Sequence, residues 1–474
     1  MIYINTLFLL FYLSIIIATM ITIIMDNRQP TKTMAWILVL VFLPIVGIVL
    51  YIFFGQNIRK ERFISQRSLD KLSKQTMFEY IEQQNLRLPL AHSALIQFFQ
   101  SQNMAFPFKD NEAEIYTSGH DFILSLLKEI GSAQHHIHLV SYIFEDDALG
   151  YLVADALIDK ARQGVEVRLI YDDVGCWKVK NKFWQRIRNG GVEVYAFMPV
   201  HFPAFTSKMN YRNHRKLCVV DGKTAFIGGM NIALRYLKGT KKLPWRDTHL
   251  KVVGGAVYGI QRAFLIDWYF VSQTLLTSSV YYPPLSNSIS NECIAQVVTG
   301  SPVSVWPDIM QGFIRIILEA KHYVYIETPY FLPTEPFMAA ITNAALSGVD
   351  VRLLIPAQSD VFITSLATHS YIPEALEAGV KVFLYQKGFN HSKLIVCDDS
   401  LCTCGSTNID FRSFENNFES NIIFYDSKMA KRMKEVFIED ENNSILVVDY
   451  IANKKRSFAV RFWESIVRLL SPLL

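Results

Sequence analysis

The feature that most constrains the fold of this 474-residue chain is an internal repeat that carries the same polar residues in both copies. Each copy begins with a His. Lys lies two positions after it, Asp seven, Gly fourteen and Asn seventeen positions after it. The two sets are His214, Lys216, Asp221, Gly228 and Asn231, and His391, Lys393, Asp398, Gly405 and Asn408. Such a match across 177 residues predicts two equivalent half-sites.

The residue types of the repeat indicate phosphate chemistry. A His and a Lys two positions apart on a strand point to the same face, so each copy presents an imidazole and an ammonium together. A phosphodiester transfer needs a nucleophile, a proton donor and fixed positive charge around the developing oxyanion. An isolated His-x-Lys is usually an ordinary exposed strand face, but duplication of the whole motif favours a catalytic pair.

The repeat extends beyond the motifs and predicts an α/β fold with two pseudo-symmetric lobes. Residues 164–170 match residues 348–354, and residues 191–195 match residues 379–383. Each copy reads strand, helix, strand, helix, strand and then the motif strand. Strands that alternate with helices in this way are typical of βαβ units, so we expect mostly parallel sheets.

Two features distinguish the first copy from the second. About ten extra residues precede its motif, within residues 198–213, and this long aromatic loop is a candidate rim of the active site. The first copy also has His135, His136 and His138, which together suggest a metal site. Two of these three positions are Tyr in the second copy, so we expect a strand surface rather than metal ligation.

At the paired motifs the chain resembles the phospholipase D superfamily, whose signature is HxKxxxxD followed by a small-residue and Asn segment. The resemblance implies that both motifs meet across a pseudo-two-fold axis at one active site. It implies that one His forms a phosphohistidine, the other protonates the leaving alkoxide, and the motif lysines and asparagines hold phosphate oxygens. The family more often uses the first motif for attack, so His214 is the expected nucleophile and His391 the expected general acid and base, although the symmetry of the repeat itself does not choose between them.

The acidic residues are assigned on the same resemblance. The motif aspartates, Asp221 and Asp398, are expected to brace the motif turn rather than touch substrate. Asp247 and Glu419 lie 33 and 28 residues after their respective histidines. In the family an acidic residue near this place hydrogen-bonds the catalytic imidazole and fixes its orientation, so we assign that role to both. A solvated surface position is the alternative, and it is stronger for Asp247, whose local match is looser.

The N-terminus contains two apolar runs without a charged residue, at positions 3–25 and 34–54. Each is long enough to cross a bilayer, which needs roughly 20 helical residues, and residues 26–33 join them as a hairpin. A secretory signal is the alternative, but the first run lacks a basic n-region and a small-residue cleavage site. Six Lys and Arg residues between positions 59 and 74 place the remainder in the cytoplasm by the positive-inside rule.

The second apolar run with its exit, together with residues 461–474, resembles bacterial cardiolipin synthases of the phospholipase D type. This resemblance implies a multi-pass protein of the bacterial inner membrane. It also implies that the protein converts two phosphatidylglycerol molecules to cardiolipin and glycerol, with membrane phospholipids as partners and without a metal or organic cofactor. A phospholipase D type hydrolase or phosphodiesterase using water, and a membrane-tethered binding protein without chemistry, are the rival functions.

The C-terminus carries a helical stripe of apolar residues. Its members are Ala459, Phe462, Trp463, Ile466, Val467 and Leu470. With the basic residues beside it, the stripe has what an interfacial helix on anionic lipid requires. Packing into the protein core is the alternative, because the same stripe would suit burial.

The predicted domains are a transmembrane hairpin at residues 1–55, a helical connector at 56–105, and phospholipase D lobes at 106–285 and 286–474. A net charge of only +4, without one broad basic field, argues against a nucleic-acid partner. The sequence leaves open the oligomeric state and whether phosphatidylethanolamine can replace one phosphatidylglycerol.

Overall fold

The structure is a computed structural model, and it describes residues 2–25, 30–51, 55, 81–82, 86–200, 210–240, 243–285, 289–448 and 457–473. The strands up to residue 254 are β1 Pro107–Phe108, β2 Asn111–Tyr116, β3 His136–Ser141, β4 Glu166–Asp172, β5 Glu193–Phe197, β6 Arg212–Asn213, β7 Leu217–Val220, β8 Thr224–Gly228, β9 Trp245–Arg246 and β10 His249–Gly254. The later strands are β11 Ile294–Gly300, β12 Tyr323–Glu327, β13 Phe331–Leu332, β14 Asp350–Pro356, β15 Lys381–Tyr385, β16 Phe389–Asn390, β17 Leu394–Cys397, β18 Leu401–Gly405, β19 Ile409–Asp410, β20 Asn417–Tyr425 and β21 Ser444–Leu446.

The α-helices divide in the same way between the N-terminal segment and the two copies of the repeat. Those up to residue 272 are α1 Ile2–Met25, α2 Pro30–Phe42, α3 Pro44–Leu50, α4 Ser93–Asn103, α5 Gly119–Ser132, α6 Ala148–Arg162, α7 Asn181–Asn189, α8 Arg235–Lys238 and α9 Ala256–Ser272. The later ones are α10 Asp308–Glu319, α11 Glu335–Leu346, α12 Phe362–Glu377, α13 Phe411–Glu415, α14 Ser427–Asn442 and α15 Phe458–Leu469.

Each copy of the repeat builds one large mixed sheet, so the prediction of two α/β lobes is confirmed. The strand orders are β2-β10-β8-β7-β3-β4-β5 and β1-β11-β20-β18-β17-β12-β14-β15-β21. Only β3-β4-β5 and β12-β14-β15 are parallel within these two orders, and every other neighbouring pair is antiparallel. The prediction of mostly parallel sheets is therefore wrong.

The physical reason is the short connection after each motif strand. Helical crossovers join β3 to β4 and β4 to β5, as parallel pairing requires. The motif strand β7 instead turns directly into β8 through Asp221 and Gly222, both of which have positive φ angles. Asp398 and Asp399 make the corresponding turn between β17 and β18. A tight turn forces an antiparallel hairpin, which the alternation of strands and helices did not reveal.

One apolar core holds the two lobes together. Helix α9 packs on the first sheet and α14 on the second. A single continuous cluster contains Trp268 and Phe437 from these helices, and Val219 and Val396 from the two motif strands. Because interiors are densely packed, this shared core fixes the position of one motif relative to the other.

The histidine cluster of the first copy faces this core. His136 and His138 are buried, and the ring of His138 stacks on Phe264 of α9 with ring centres 4.3 Å apart. Gln261 supplies a hydrogen-bond partner 2.8 Å from His138 Nδ1. The prediction of a strand surface is wrong for these two residues, because α9 covers that face of β3.

The N-terminal segment is helical over the first predicted apolar run and, within the described part of the second, over residues 34–42 and 44–50. Pro44 lacks a backbone N–H and begins α3, so the second run is divided between α2 and α3. Ile23, Leu40 and Tyr51 are buried together where these helices meet. Among the residues that the structure describes, no helix is both long enough and apolar enough to cross a bilayer. The transmembrane hairpin therefore stays a prediction.

Most of the predicted connector, at residues 56–80 and 83–85, lies outside the described residues, as do residues 201–209 of the candidate rim loop. The end of the connector packs on the second lobe. The ring of Phe99 in α4 occupies the space that a side chain at Gly312 would fill, since an added Cβ would lie 1.9 Å from it. Strand β1 then joins the second sheet by pairing with β11.

The C-terminal stripe is divided between two environments. Val467 is only 6% exposed and belongs to the core of the second lobe, whereas Phe462 and Trp463 are 50% and 57% exposed. Arg468 fixes the helix by an ion pair to Glu374 at 2.7 Å. Helix α15 is therefore docked on the second lobe and presents its aromatic residues outward.

Candidate active site

Each motif histidine is positioned by the lobe to which it does not belong. Strand β6 pairs in parallel with the start of β20, and β16 pairs in parallel with β9. As a continuation of these pairs, the backbone N–H of His214 donates to Phe418 O at 2.9 Å, and that of His391 donates to Arg246 O at 2.7 Å. The two motifs are thus related by an exchange of short strands across the lobe boundary.

The carboxylates that contact the imidazoles are exchanged in the same way. His214 Nδ1 lies 3.0 and 3.1 Å from the carboxylate oxygens of Glu419. His391 Nδ1 lies 2.7 Å from Asp247 Oδ2. Each carboxylate therefore contacts the imidazole of the other motif and not the histidine that precedes it in its own copy. In both half-sites Nδ1 is occupied, which leaves Nε2 as the nitrogen available to a substrate.

The two half-sites differ in the residue beside each carboxylate. In the second copy the Ser406 hydroxyl donates to Glu419, and Ser406 O lies 3.1 Å from His214 Nδ1. The matching position in the first copy is Gly229, where an added Cβ would lie 2.0 Å from an oxygen of Asp247. The glycine is therefore required by the close approach of the shorter acidic residue.

The motif lysines are buried behind the histidines. Each donates from Nζ to the carbonyl oxygen of its own motif histidine. Burial lowers the pKa of both ammonium groups, and that of Lys216 falls to about 7. Lys393 Nζ also lies 2.8 Å from His391 Nδ1. Since Nδ1 holds a single hydrogen-bonding position, and Asp247 is the closer and anionic partner, we assign the Nδ1 proton to the bond with Asp247.

The motif aspartates lie at the base of each hairpin and do not line the site. Asp221 accepts hydrogen bonds of 2.8 to 2.9 Å from three successive backbone N–H groups, those of residues 134, 135 and 136. Asp398 accepts the corresponding three from residues 321, 322 and 323. This geometry braces the chain that enters β3 and β12.

A cavity of about 1010 Å³ opens where the two motifs meet. Both motif histidines and both motif asparagines line it. Asn231 is fixed by a hydrogen bond of 3.0 Å from the N–H of Ile143 to its Oδ1. The structure thus brings His214, His391, Asn231 and Asn408 to one cavity, with the lysines and orienting carboxylates buried around it.

Residues 126–243 and 313–441 match the family model described as cardiolipin synthase, PLD-like domain. The chain belongs to this family. Residues 14–56 match a second model, described as phospholipase D-nuclease N-terminal. The chain is 39% identical to a cardiolipin synthase of Geobacillus kaustophilus (strain HTA426), over 96% of this chain and 91% of the relative. It is 38% identical to one of Alkalihalophilus pseudofirmus, over 99% and 94% of the two chains.

A solved structure supports the fold of this PLD-like cardiolipin synthase family member. The phosphatidylserine synthase of Haemophilus influenzae Rd KW20 superposes with a TM-score of 0.60 at 14% identity. The match covers 81% of this chain and 100% of that one. The resemblance to phospholipase D type proteins that the sequence suggested is therefore confirmed.

The electrostatics of this PLD-like site favour neutral imidazoles beside ionised carboxylates. Burial lowers the pKa of His214, and it lowers that of His391 to about 3. Burial opposes ionisation of Asp247 and Glu419, but the neighbouring lysine and imidazole groups outweigh it and hold both pKa values below their usual level. At neutral pH both histidines are therefore unprotonated and able to act as nucleophile or base.

Two residues that line the cavity were not predicted from the sequence. Arg235 and Arg412 both line the cavity, and each lies 21 residues after its motif histidine. The repeat therefore continues four positions beyond the motif asparagines. That continuation is the signal that would have identified them.

Proposed function

We propose that this protein is a cardiolipin synthase that transfers a phosphatidyl group between two phosphatidylglycerol molecules and releases glycerol. The observation that carries this conclusion is the meeting of two imidazoles in one cavity, each oriented at Nδ1 by a carboxylate. The full-length similarity to cardiolipin synthases supports the substrate assignment. One nucleophile and one proton carrier are what a two-step phosphatidyl transfer needs.

In the first step, His214 Nε2 attacks the phosphorus of the donor lipid. A P–N bond forms, the P–O bond to glycerol breaks, and His391 gives its Nε2 proton to the departing oxygen. In the second step a hydroxyl of the acceptor lipid passes its proton to His391 as its oxygen attacks phosphorus. The P–N bond breaks, which restores His214 and forms cardiolipin. Lys216, Lys393 and the motif asparagines stabilise the phosphate charge in both steps.

His391 must hold a proton when glycerol departs, although burial and the Lys393 ammonium lower its pKa to about 3. An anionic phosphodiester beside the imidazole favours the protonated form. The proton is therefore taken up together with the donor lipid, and the carboxylate of Asp247 stabilises the resulting imidazolium.

The membrane arrangement belongs to the same proposal. The match of residues 14–56 to the N-terminal family model and the apolar sequence of α1 support a two-helix anchor in the bacterial inner membrane, followed by the connector and the two lobes in the cytoplasm. In a background without native cysteines, a Cys introduced at Asn27 should react with an impermeant thiol reagent in intact cells. A Cys at Gln56 should not react, and the reverse pattern would place the lobes outside.

The test of function is lipid analysis of purified protein given labelled phosphatidylglycerol alone. Cardiolipin and glycerol should appear in equal amounts, since each transfer releases one glycerol. Phosphatidic acid in place of cardiolipin would identify water as the acceptor and the protein as a phospholipase D type hydrolase.

A further inference from the structure

The continuation of the repeat gives each half-site one arginine. Arg235 begins α8 and Arg412 lies in α13, each four residues after a motif asparagine. Both line the cavity, yet neither contacts a motif histidine through a described hydrogen bond. Two guanidinium groups are thus placed around the reaction centre by the same pseudo-symmetry that places the imidazoles.

The two arginines lie on different sides of the cavity. The guanidinium of Arg235 lies 5.9 Å from the ring centre of Trp245, and that ring is 5.3 Å from the ring of His391. Arg412 donates to Asn210 O at 3.3 Å and interacts electrostatically with Tyr142. The ring of Tyr142 is 4.8 Å from that of His214. Arg235 is therefore on the His391 side and Arg412 on the His214 side.

Cardiolipin synthesis must accommodate two phosphodiesters, and only one of them reacts. The reacting phosphate lies between the imidazoles, whereas the acceptor lipid carries its own phosphate one glycerol unit away from the attacking hydroxyl. That second anion needs a cation within the cavity. A guanidinium matches phosphate oxygens through a fork of N–H donors.

Arg235 has the capacity for such a ligand. Its side chain is 29% exposed, and among the described residues its hydrogen bond is to Glu145 at 2.6 Å. A guanidinium carries five N–H donors, so this bond leaves others for a phosphate. Asp360 lines the same side and accepts from the Tyr330 hydroxyl at 2.7 Å. The Asp360 carboxylate can accept hydrogen bonds from the neutral hydroxyls of a glycerol headgroup. Arg235 is then the residue on this side that can bind the phosphate of the same headgroup.

We propose that Arg235 binds the phosphodiester of the acceptor phosphatidylglycerol, on the side of the cavity where His391 activates the acceptor hydroxyl. This assignment rests on the proposed function, with His214 as the nucleophile. Arg412, beside His214, holds the donor lipid instead.

The test compares two acceptors that attack the same phosphohistidine. Cardiolipin formation uses phosphatidylglycerol, whereas exchange of labelled glycerol into phosphatidylglycerol uses an acceptor without a phosphate. In both reactions the P–N bond breaks, a P–O bond forms and the hydroxyl proton goes to His391. Arg235→Gln should lower cardiolipin formation on the order of tenfold to a hundredfold more than glycerol exchange, as expected for one lost hydrogen bond between charged groups. Arg235→Lys, which keeps the charge, should recover part of the loss.

The controls separate the possible failures. Arg162→Gln removes an exposed arginine at the end of α6 and should alter neither reaction. Arg412→Gln should lower both reactions together. Equal losses of both reactions in Arg235→Gln and Arg235→Lys would overturn the proposal, as would a selective loss in Arg412→Gln. Wild-type protein that yields phosphatidic acid and no cardiolipin would instead refute the proposed function itself.

Discussion

The crosswise pairing of carboxylates and imidazoles makes a sharp prediction for two isosteric variants. Glu419→Gln should impair the same step as a His214 variant, and Asp247→Asn the same steps as a His391 variant. An amide can donate to Nδ1 and so leave the imidazole proton on Nε2. That tautomer lacks the lone pair that attacks phosphorus or accepts the acceptor proton.

The structure predicts losses of different size. A hydrogen bond to a charged group contributes about 1.5 to 3 kcal/mol, which corresponds to roughly tenfold to a hundredfold in rate. His214 Nδ1 keeps a second acceptor, Ser406 O at 3.1 Å, which preserves the correct tautomer, so Glu419→Gln should stay within that range. His391 has Asp247 as its acceptor at 2.7 Å and a competing Lys393 ammonium, so Asp247→Asn should approach a loss of about 10⁴-fold, as for a wrong tautomer.

The assay uses a phosphatidyl ester of p-nitrophenol, whose leaving group departs without a proton. With this donor, release of the first equivalent of p-nitrophenol per enzyme should recover in Asp247→Asn and in His391→Ala, because the first step no longer needs a general acid, whereas breakdown of the phosphohistidine still needs His391 as a base. It should not recover in Glu419→Gln or His214→Ala, because the nucleophile is still impaired. Recovery in Glu419→Gln together with continued failure of Asp247→Asn would refute the crosswise reasoning.

The remaining predictions concern the shared site, the tight glycine and the C-terminal helix. Replacing either motif histidine by Ala should remove nearly all cardiolipin formation, and the double variant should be scarcely worse, because residues that act as a unit are non-additive; substantial turnover in one single variant would contradict a shared site. Gly229→Ala places a Cβ 2.0 Å from the Asp247 carboxylate, so turnover should fall towards that of Asp247→Asn, and an unchanged rate would exclude the clash. Replacing Phe462 and Trp463 by Ser should lower activity on bilayer substrate more than on substrate in detergent. Val467→Ser should instead lower the melting temperature. Equal losses of activity on bilayer and detergent substrate in the Phe462 and Trp463 variant would show that these two residues support the core.

The catalytic residue types and the two-lobe plan could be predicted because both follow from the spacing of residues that are close together in the sequence. His214 and Lys216 lie between β6 and β7 rather than on a strand, as do His391 and Lys393 between β16 and β17, but the recurrence of their two-residue spacing requires no knowledge of tertiary structure. The asymmetric placement of extra residues before the first motif was equally visible. Local patterns therefore identified the motif histidines and asparagines that the structure brings to one cavity.

The partners of those residues could not be predicted, because they depend on how the lobes dock. Sequence order associates Asp247 with His214, yet the parallel pairing of β16 with β9 brings Asp247 to His391. We predicted a strand surface for His136 and His138 because Tyr occupies their positions in the second copy. His138 is buried against α9, which supplies Gln261 as a partner from more than a hundred residues away in sequence, and the ring of His136 packs beside that of His138. Such contacts have no local signature.

The inequivalent surroundings of the two imidazoles also bear on their roles. Burial is the largest influence on the pKa of both histidines and lowers both values. The second-largest influence differs between the two histidines. At His214 the strongest remaining influence is the Glu419 carboxylate, which makes the imidazole more basic. At His391 it is the Lys393 ammonium, which makes the imidazole less basic. The more basic nitrogen is the better nucleophile, and the less basic one is the stronger acid when protonated. This difference in basicity agrees with the proposed attack by His214 and proton donation by His391.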